Sequence, residues 1–252
     1  MKAVIAMIVF AFAFPVQAES AEIKVATLGA FRGVLPTLAP VFEQASGHKL
    51  ILSIYTPGVL QERLLKGEAA DVAFVDGKLF PNLEHAGKVI AGSRTELGGA
   101  FVAVVIRAGA PKPDLSTPDA FKRAIRAAKS VAISDPAGGS SQGPFVLGLA
   151  DRFDFDAELR SRFKLIPGAG YHVPEAVVKG DADIGITIST EIIFVNGAEI
   201  AGPLPPQMQN PSVYYAVLVT GTAESQAGKA LIDFMLSPEA KSAMKSSGIE
   251  SR

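Results

Sequence analysis

Two similar stretches about a hundred residues apart constrain the fold of this chain more than any other feature. The first runs Leu64-Leu-Lys-Gly-Glu-Ala-Ala-Asp-Val-Ala-Phe74, and the second runs Val177-Val-Lys-Gly-Asp-Ala-Asp-Ile-Gly-Ile186. Each combines a helix end, a glycine suited to the left-handed position after it, and an all-apolar strand typical of a sheet covered on both faces. The alternative is that this common helix–glycine–strand connection recurs by chance. Chance explains two copies less well than one. The repeat predicts two α/β lobes of similar build.

The rest of the chain alternates between apolar runs of strand length and segments with helical spacing of apolar residues. The predicted strands cover residues 22–27, 50–54, 72–75, 101–106, 131–133, 165–167, 184–188 and 213–219. The predicted helices cover residues 34–46, 59–66, 119–129, 145–153, 174–179, 227–236 and a last segment that begins at Ser237. Residues 202–206 are predicted to form an extended connection. This alternation indicates an α/β fold with mostly parallel sheets flanked by helices.

Residues 1–18 have the pattern of a signal peptide rather than of a folded segment. Lys2 supplies the positive charge, and the apolar run over residues 3–14 is too short to span a bilayer. Val16-Gln-Ala18 is a small-x-small cleavage site before Glu19. No cysteine follows the apolar run, which excludes a lipoprotein anchor. We therefore expect the mature chain to begin at Glu19 and to be exported to the periplasm.

Composition and charge exclude several classes of function. The chain has 252 residues and no cysteine, which excludes disulfides and thiolate metal sites. Its only histidines, His48, His85 and His172, lack ligand spacing, so we expect neither a metal nor another cofactor. Without residues 1–18 the charge is 23 basic minus 25 acidic residues, or −2. This balance predicts neither nucleic acid nor a membrane surface as partner, and an anion would have to be bound by local donors.

A Gly/Ser loop over residues 138–143 separates the predicted strand at 131–133 from the predicted helix at 145–153. A strand that feeds such a loop and opens a helix directs several backbone N–H groups at one point, where the helix dipole favours negative charge. Glycine lets the backbone approach a ligand closely, and Ser140 and Ser141 can add hydroxyl donors. The loop therefore predicts an anion site. A solvated loop with a capping serine is the alternative.

Taken in order, these motifs resemble the bacterial periplasmic solute-binding proteins of ABC importers, and in particular their molybdate-binding branch. The resemblance is carried by residues 24–33, 53–60, 66–67, 70–71, 134–136, 179–180, 182–186 and 234–240. It implies a two-lobed, type II periplasmic-binding-protein-like fold with a hinge and a ligand cleft between the lobes. It also implies a small anionic ligand, the membrane subunits of an ABC importer as partner, and a monomer. We place lobe one at residues 19–104 plus 212–252 and lobe two at residues 105–211.

Three positions depart from the pocket of that branch. Ala30 and Pro57 stand where the family has serine, and Ile188 replaces a tyrosine that is common there. Molybdate is held by neutral hydroxyl and N–H donors, so these changes disfavour it. Arg32 lies two residues past Ala30, and a guanidinium suits a carboxylate well. We therefore expect a small organic carboxylate as ligand, with a molybdate-like oxyanion next. A solvated surface arginine is the alternative for Arg32.

The predicted ligand-binding residues come from loops at predicted strand ends. They are Ala30, Phe31, Arg32, Thr56, Pro57, Gly58, Gly139, Ser140, Ser141, Gln142, Tyr171, His172, Thr187 and Ser189. The tyrosines at 171, 214 and 215 can equally be core residues with a satisfied hydroxyl.

Two other functions fit parts of the sequence. Gly139-Ser-Ser-Gln-Gly143 matches the G-x-S-x-G pattern of serine hydrolases, with Ser141 as nucleophile, His172 as base, and Asp154 or Asp156 to orient it. The intervening residues after the strand disfavour this hypothesis, because a hydrolase elbow follows its strand tightly. A ligand-sensing domain that signals instead of feeding a transporter would have the same cleft.

Overall fold

A computed structural model describes residues 20–250, and the predicted signal peptide lies outside this range. The strands are β1 (Glu22–Leu28), β2 (Lys49–Tyr55), β3 (Val72–Asp76), β4 (Thr95–Ala100), β5 (Val102–Arg107), β6 (Val131–Ser134), β7 (Phe163–Ile166), β8 (Ile184–Ile188), β9 (Ala198–Pro203) and β10 (Ser212–Leu218). They form two five-stranded sheets, in the orders β2-β1-β3-β10-β4 and β7-β6-β8-β5-β9. In each sheet four strands run in one direction, and the fifth, β10 or β5, runs in the other.

Helices cover both sheets. They are α1 (Leu35–Ser46), α2 (Pro57–Leu65), α3 (Phe80–His85), α4 (Pro118–Ala127), α5 (Gln142–Arg152), α6 (Ala157–Ser161), α7 (His172–Lys179), α8 (Ser189–Ile192), α9 (Ser225–Met235) and α10 (Pro238–Ser246). Short 3-10 turns lie at residues 29–31, 136–138 and 206–208. Within the described residues, no helix combines the length and the apolar character needed to cross a bilayer.

The repeated unit forms in both halves as the sequence predicts. Gly67 follows α2 and Gly180 follows α7, and both adopt a left-handed φ of 84°. The strand after each glycine is central in its sheet, and β3 is buried along its whole length. The last helix also starts as predicted, since Ser237 accepts a hydrogen bond from the Ala240 N–H and Pro238 occupies the first helical position.

The chain passes from the first sheet to the second at Phe101 and returns through residues 204–211. The expected boundary after residue 104 falls inside β5, whose residues all pair in the second sheet. We therefore propose residues 20–101 plus 212–250 as lobe one and residues 102–211 as lobe two.

Five short elements are absent from the sequence-based prediction: α3, β4, α6, α8 and β9. β4 contains Gly98, whose φ of 138° is open chiefly to glycine and whose Cα packs against the Glu250 backbone. β9 includes the start of the expected connection at residues 202–206 and is an edge strand of the second sheet. These elements are short or rich in glycine, so neither periodicity nor propensity identifies them.

Each lobe has its own apolar core. In lobe one, Phe31 packs edge-on against Phe74 and Tyr214, with ring centroids 5.0 and 5.4 Å apart. In lobe two, Phe121, Ile133 and Ile186 lie in the cluster on one face of the sheet, and a smaller cluster covers the other face. Phe31 is fully buried in this core, where its ring packs within lobe one.

Candidate functional site

A cavity of about 360 Å³ lies between the two lobes, at the ends of their strands. From lobe one it is lined by Leu28, Gly29, Ala30, Arg32, Ile54, Tyr55, Thr56, Pro57, Asp76, Ser212 and Tyr214. From lobe two it is lined by Ser140, Ser141, Gln142, Ala169, Gly170, Tyr171, Ile188 and Glu191. Crevices at the carboxyl ends of strands are where open α/β sheets bind ligands.

Two helix N-termini meet at this cavity, one from each lobe. Thr56 precedes α2 and Ser141 precedes α5. The Gly58 N–H donates to the Gly139 carbonyl oxygen at 3.1 Å, which joins the two loops. Gly139 has a φ of 72°, and a Cβ there would lie 2.9 Å from Thr56 Oγ1. The dipoles of α2 and α5 therefore favour negative charge in the same space, although the Gly58 and Gln142 N–H groups already donate within the protein.

Arg32 spans the interface between the lobes. Its guanidinium carbon lies 3.9 Å from the centroid of the Tyr171 ring. Its Nε is buried and has no hydrogen-bond partner among the described residues. Stacking on an aromatic ring fixes the plane of a guanidinium and leaves its N–H donors available in that plane. Arg32 can therefore donate to an anion in the cavity.

Glu191, which the sequence analysis did not select, also lines the cavity. It lies on α8, is only 9% exposed, and its Oε2 has no hydrogen-bond partner among residues 20–250. Burial raises the pKa of the Glu191 carboxyl above its ordinary value of 4.5, while the nearby Arg32 and His172 act in the opposite direction. A carboxyl in this environment takes up a proton more readily than one in water.

A second carboxylate, Asp76, lies at the end of β3. Its Oδ2 accepts a hydrogen bond from Ser212 Oγ at 2.5 Å, and its Oδ1 accepts one from the Lys78 N–H at 2.9 Å. Tyr214 lies beside this group, and burial raises the pKa of its hydroxyl, which therefore stays protonated. Asp76 is thus satisfied by protein donors, whereas Glu191 is not.

Side chains from both lobes direct unpartnered polar atoms into the buried region around the cavity. Within the described part of the chain, these atoms are Arg32 Nε, Thr56 Oγ1, Gln142 Oε1 and Glu191 Oε2. Buried polar atoms are costly unless they are hydrogen-bonded, so this set indicates a polar ligand with both donors and acceptors. The apolar part of the cavity lining includes Ala30, Pro57 and Ile188.

The predicted site residues fall into three groups. Those that line the cavity are Ala30, Arg32, Thr56, Pro57, Ser140, Ser141, Gln142 and Tyr171. Gly58 and Gly139 instead form the contact between the two loops. Thr187 and Ser189 are fully buried away from the lining, and Ser189 Oγ donates to the Gly248 carbonyl at 3.4 Å.

His172 does not line the cavity either. Its Nδ1 lies 3.1 Å from the Pro167 carbonyl oxygen, and its ring packs edge-on against Tyr171. Among the described residues no hydrogen bond links His172 to Ser141, Asp154 or Asp156, so the serine-hydrolase alternative gains no support. Asp156 caps α6 by accepting from the Leu159 N–H and pairs with Arg126. Ser141 Oγ accepts from its neighbour Gln142. The described residues also contain no cluster of three or more carboxylates and histidines that could hold a metal ion.

The two missed carboxylates have a signal in the sequence. Asp76 is the last residue of β3, and Glu191 comes three residues after β8. Residues at the carboxyl ends of strands line the ligand crevice of an open α/β sheet. This rule predicted Thr56 as a site residue, and it applies equally to an acidic residue at the end of an apolar strand. Both acids follow the repeated unit, Asp76 two residues after Phe74 and Glu191 five residues after Ile186.

Comparisons with known proteins agree with this architecture. The family model described as bacterial extracellular solute-binding protein matches residues 23–250. Aconitate isomerase from a Pseudomonas species is 33% identical over 90% of this chain and 87% of that protein. The solved periplasmic molybdate-binding protein of Azotobacter vinelandii is 26% identical, with a TM-score of 0.69 over 91% of this chain and 99% of that one.

A solved periplasmic thiamin-binding protein, 15% identical, shares the fold with a TM-score of 0.73 over 91% of this chain and 83% of that chain. The family match covers nearly all of the described residues, and the fold of the solved molybdate-binding protein matches 91% of the chain. The chain therefore belongs to the bacterial extracellular solute-binding proteins, with the fold of their molybdate-binding branch.

Proposed function

We propose that this protein captures a small organic carboxylate in the periplasm and delivers it to the membrane subunits of an ABC importer. The observation that carries the proposal is the stacked guanidinium of Arg32, which lines the same cavity as the N-termini of α2 and α5. Together they supply one fixed positive charge and two helix dipoles. A carboxylate can pair with the two parallel N–H donors of a guanidinium.

The lining favours a carboxylate over molybdate. Ala30, Pro57 and Ile188 all line the cavity and offer no side-chain donor. A hydrogen bond to a charged group is worth about 1.5–3 kcal/mol, so the loss of two or three such donors weakens oxyanion binding by several powers of ten. The relative named aconitate isomerase is named for a small unsaturated tricarboxylate, which supports this class of ligand.

Isothermal titration calorimetry of the mature chain, residues 19–252, tests the proposal. We expect cis- or trans-aconitate, or a saturated tricarboxylate such as citrate, to bind more tightly than molybdate or sulfate. Sub-micromolar molybdate binding without any response to the carboxylates would contradict the proposed ligand class. Delivery is tested separately, by loss of carboxylate uptake in a strain that lacks the protein and its recovery on re-expression.

A second function, isomerisation of the bound carboxylate, is favoured by one specific observation. Glu191 places a buried carboxyl without a protein partner in a cavity built for an anion. An ionised carboxylate cannot donate a hydrogen bond to an anionic ligand. A carboxyl in this place is useful only if it is protonated or exchanges a proton with the ligand. The 33% identical relative carries an isomerase name. Incubation of the protein with cis-aconitate, followed by chromatographic detection of the trans isomer, tests this function.

A further inference from the structure

We propose that Glu191 transfers a proton between two carbon atoms of a bound unsaturated carboxylate, so that the cavity catalyses migration of the double bond. The proposal rests on the carboxylate binding proposed above and assigns a chemical role to a side chain of the same site. It follows from the contrast between the two cavity carboxylates, from the space around Glu191, and from its charged neighbours.

The first argument is hydrogen bonding. Both carboxylate oxygens of Asp76 accept hydrogen bonds from the protein, one from Ser212 and one from the Lys78 N–H. Glu191 Oε2 accepts none from the described residues, although this side chain is also buried. Leaving a buried polar atom unpaired is costly, and such atoms concentrate where a protein uses them. Asp76 is therefore a structural carboxylate, and Glu191 is available to react.

The second argument is position. Gly29 of lobe one and Gly170 of lobe two both pack against the Glu191 side chain. A Cβ at Gly29 would lie 2.8 Å from Oε1, and one at Gly170 would lie 3.1 Å from Cγ. Backbone segments from both lobes thus hold the Glu191 carboxyl in place. It lines the same cavity as Arg32, which can anchor the ligand. A base that is fixed relative to its substrate gains much of the advantage of an intramolecular reaction.

The third argument is basicity. Burial raises the pKa of Glu191 above its ordinary value, which makes its carboxylate a stronger base than that of an exposed glutamate. The charged and titratable groups that face it from the packed elements are Arg32 from lobe one and His172 from α7. Both favour its ionised form and so keep part of it available as a base. Tyr214, on β10, stays a neutral hydroxyl.

The reaction step conserves all atoms and electrons. The Glu191 carboxylate accepts a proton from the CH₂ carbon next to the double bond of the substrate, and the C–H electron pair delocalises over the allylic system and its carboxylates. Glu191 then returns the proton to the carbon at the far end of the former double bond. The double bond moves by one position, and Glu191 is again a carboxylate. No oxidant, reductant or second substrate is required.

Proton NMR in D₂O tests the proposal, with cis-aconitate as the probe and calorimetry of the same samples as the measure of binding. For the wild-type mature chain we expect signals of trans-aconitate, or deuterium at the methylene carbon. Glu191→Gln keeps the shape and a hydrogen-bonding end but cannot carry the proton, so we expect about 100-fold or greater loss of conversion with binding retained. Glu62→Gln is the matched control, since Glu62 is exposed on α2 and pairs only with Lys66.

Three further results decide the outcome. Glu191→Asp keeps a carboxyl on a side chain that is shorter by one carbon. A lowered but measurable rate, with a pH–rate profile that falls on the acidic side at a pH above the usual carboxyl range, supports the role. Binding by the wild type with neither conversion nor deuterium overturns the role of Glu191 and leaves the proposed binding function intact. Conversion that survives Glu191→Gln also overturns it. Absence of any aconitate binding overturns both this inference and the unsaturated tricarboxylate as ligand.

Discussion

Arg32 and Glu191 place opposite charges at one cavity wall, and the ligand has to satisfy both. Arg32 is stacked on Tyr171 across the lobe interface and keeps an unpartnered Nε within the described structure. The sequence pointed to Arg32 because it follows a strand-end turn. It did not point to Glu191, because a glutamate at the start of a helix is usually a solvated residue. Only burial in the tertiary structure distinguishes a solvated glutamate from one that lines a cavity.

Replacement of Arg32 by alanine is expected to raise the dissociation constant for a carboxylate by about 10- to 150-fold, the equivalent of one charge-assisted hydrogen bond. Arg94→Ala is the matched control. Arg94 also stacks on an aromatic ring, 3.8 Å from the Tyr215 centroid, but it lies outside the cavity. Calorimetry on both variants separates anion binding from loss of packing, and equal weakening would contradict the role of Arg32.

Glu191→Gln is expected to stabilise the protein at about pH 8 and to leave its stability unchanged at about pH 4. Because the folded-state pKa lies above the ordinary 4.5, the native state binds more protons than the unfolded state between the two values. The free energy of unfolding therefore falls as the pH rises through that window, and glutamine removes this loss. Thermal melts at both pH values measure it, and each kcal/mol corresponds to about 2–4 °C. A Tm difference that is the same at both pH values would refute the pKa shift.

At the scale of elements, the loops before α2 and α5 determine the site. The sequence predicted both loops and both helices, because strand, turn and helix follow one another with clear apolar periodicity. It did not predict that Gly58 and Gly139 contact each other. That contact depends on how the lobes are oriented, which no local pattern encodes. For the same reason Thr187 and Ser189, although correctly placed at a strand end, face the protein interior.

Gly139→Ala is expected to weaken carboxylate binding, because a Cβ at this position meets Thr56 Oγ1 and disturbs the contact between the loops. The substitution also places alanine at a φ of 72°, which costs about 1–2 kcal/mol of stability by itself. Gly221→Ala is the control for this second effect, since Gly221 has a φ of 85° and no atom within 4 Å of the added Cβ. We expect similar Tm losses for the two variants and weaker binding, measured by calorimetry, for Gly139→Ala alone.

At the scale of the whole molecule, the lobes meet at a second point besides the loop contact. The Phe194 ring of lobe two packs on Gly33 of lobe one, so closely that a Cβ at Gly33 would lie 2.0 Å from Phe194 Cζ. Two chain crossings, at Phe101 and residues 204–211, connect the lobes. Proteins built from two lobes around a ligand commonly close by hinge motion. Such a closure would make or break these two contacts between the lobes.

Gly33→Leu is therefore expected to hold the lobes apart, because the new side chain would occupy the space of the Phe194 ring. Small-angle scattering of the wild type should show a smaller radius of gyration with saturating carboxylate than without it, whereas Gly33→Leu should keep the larger value and bind more weakly. Gly148→Leu, on the exposed face of α5 with no atom near its Cβ, is the control and should behave as the wild type. A ligand can shift the lobes only by binding the closed state more tightly than the open one. Unchanged scattering of the wild type at saturation would therefore rule out closure, and compaction of Gly33→Leu would show that the contact with Phe194 does not control it.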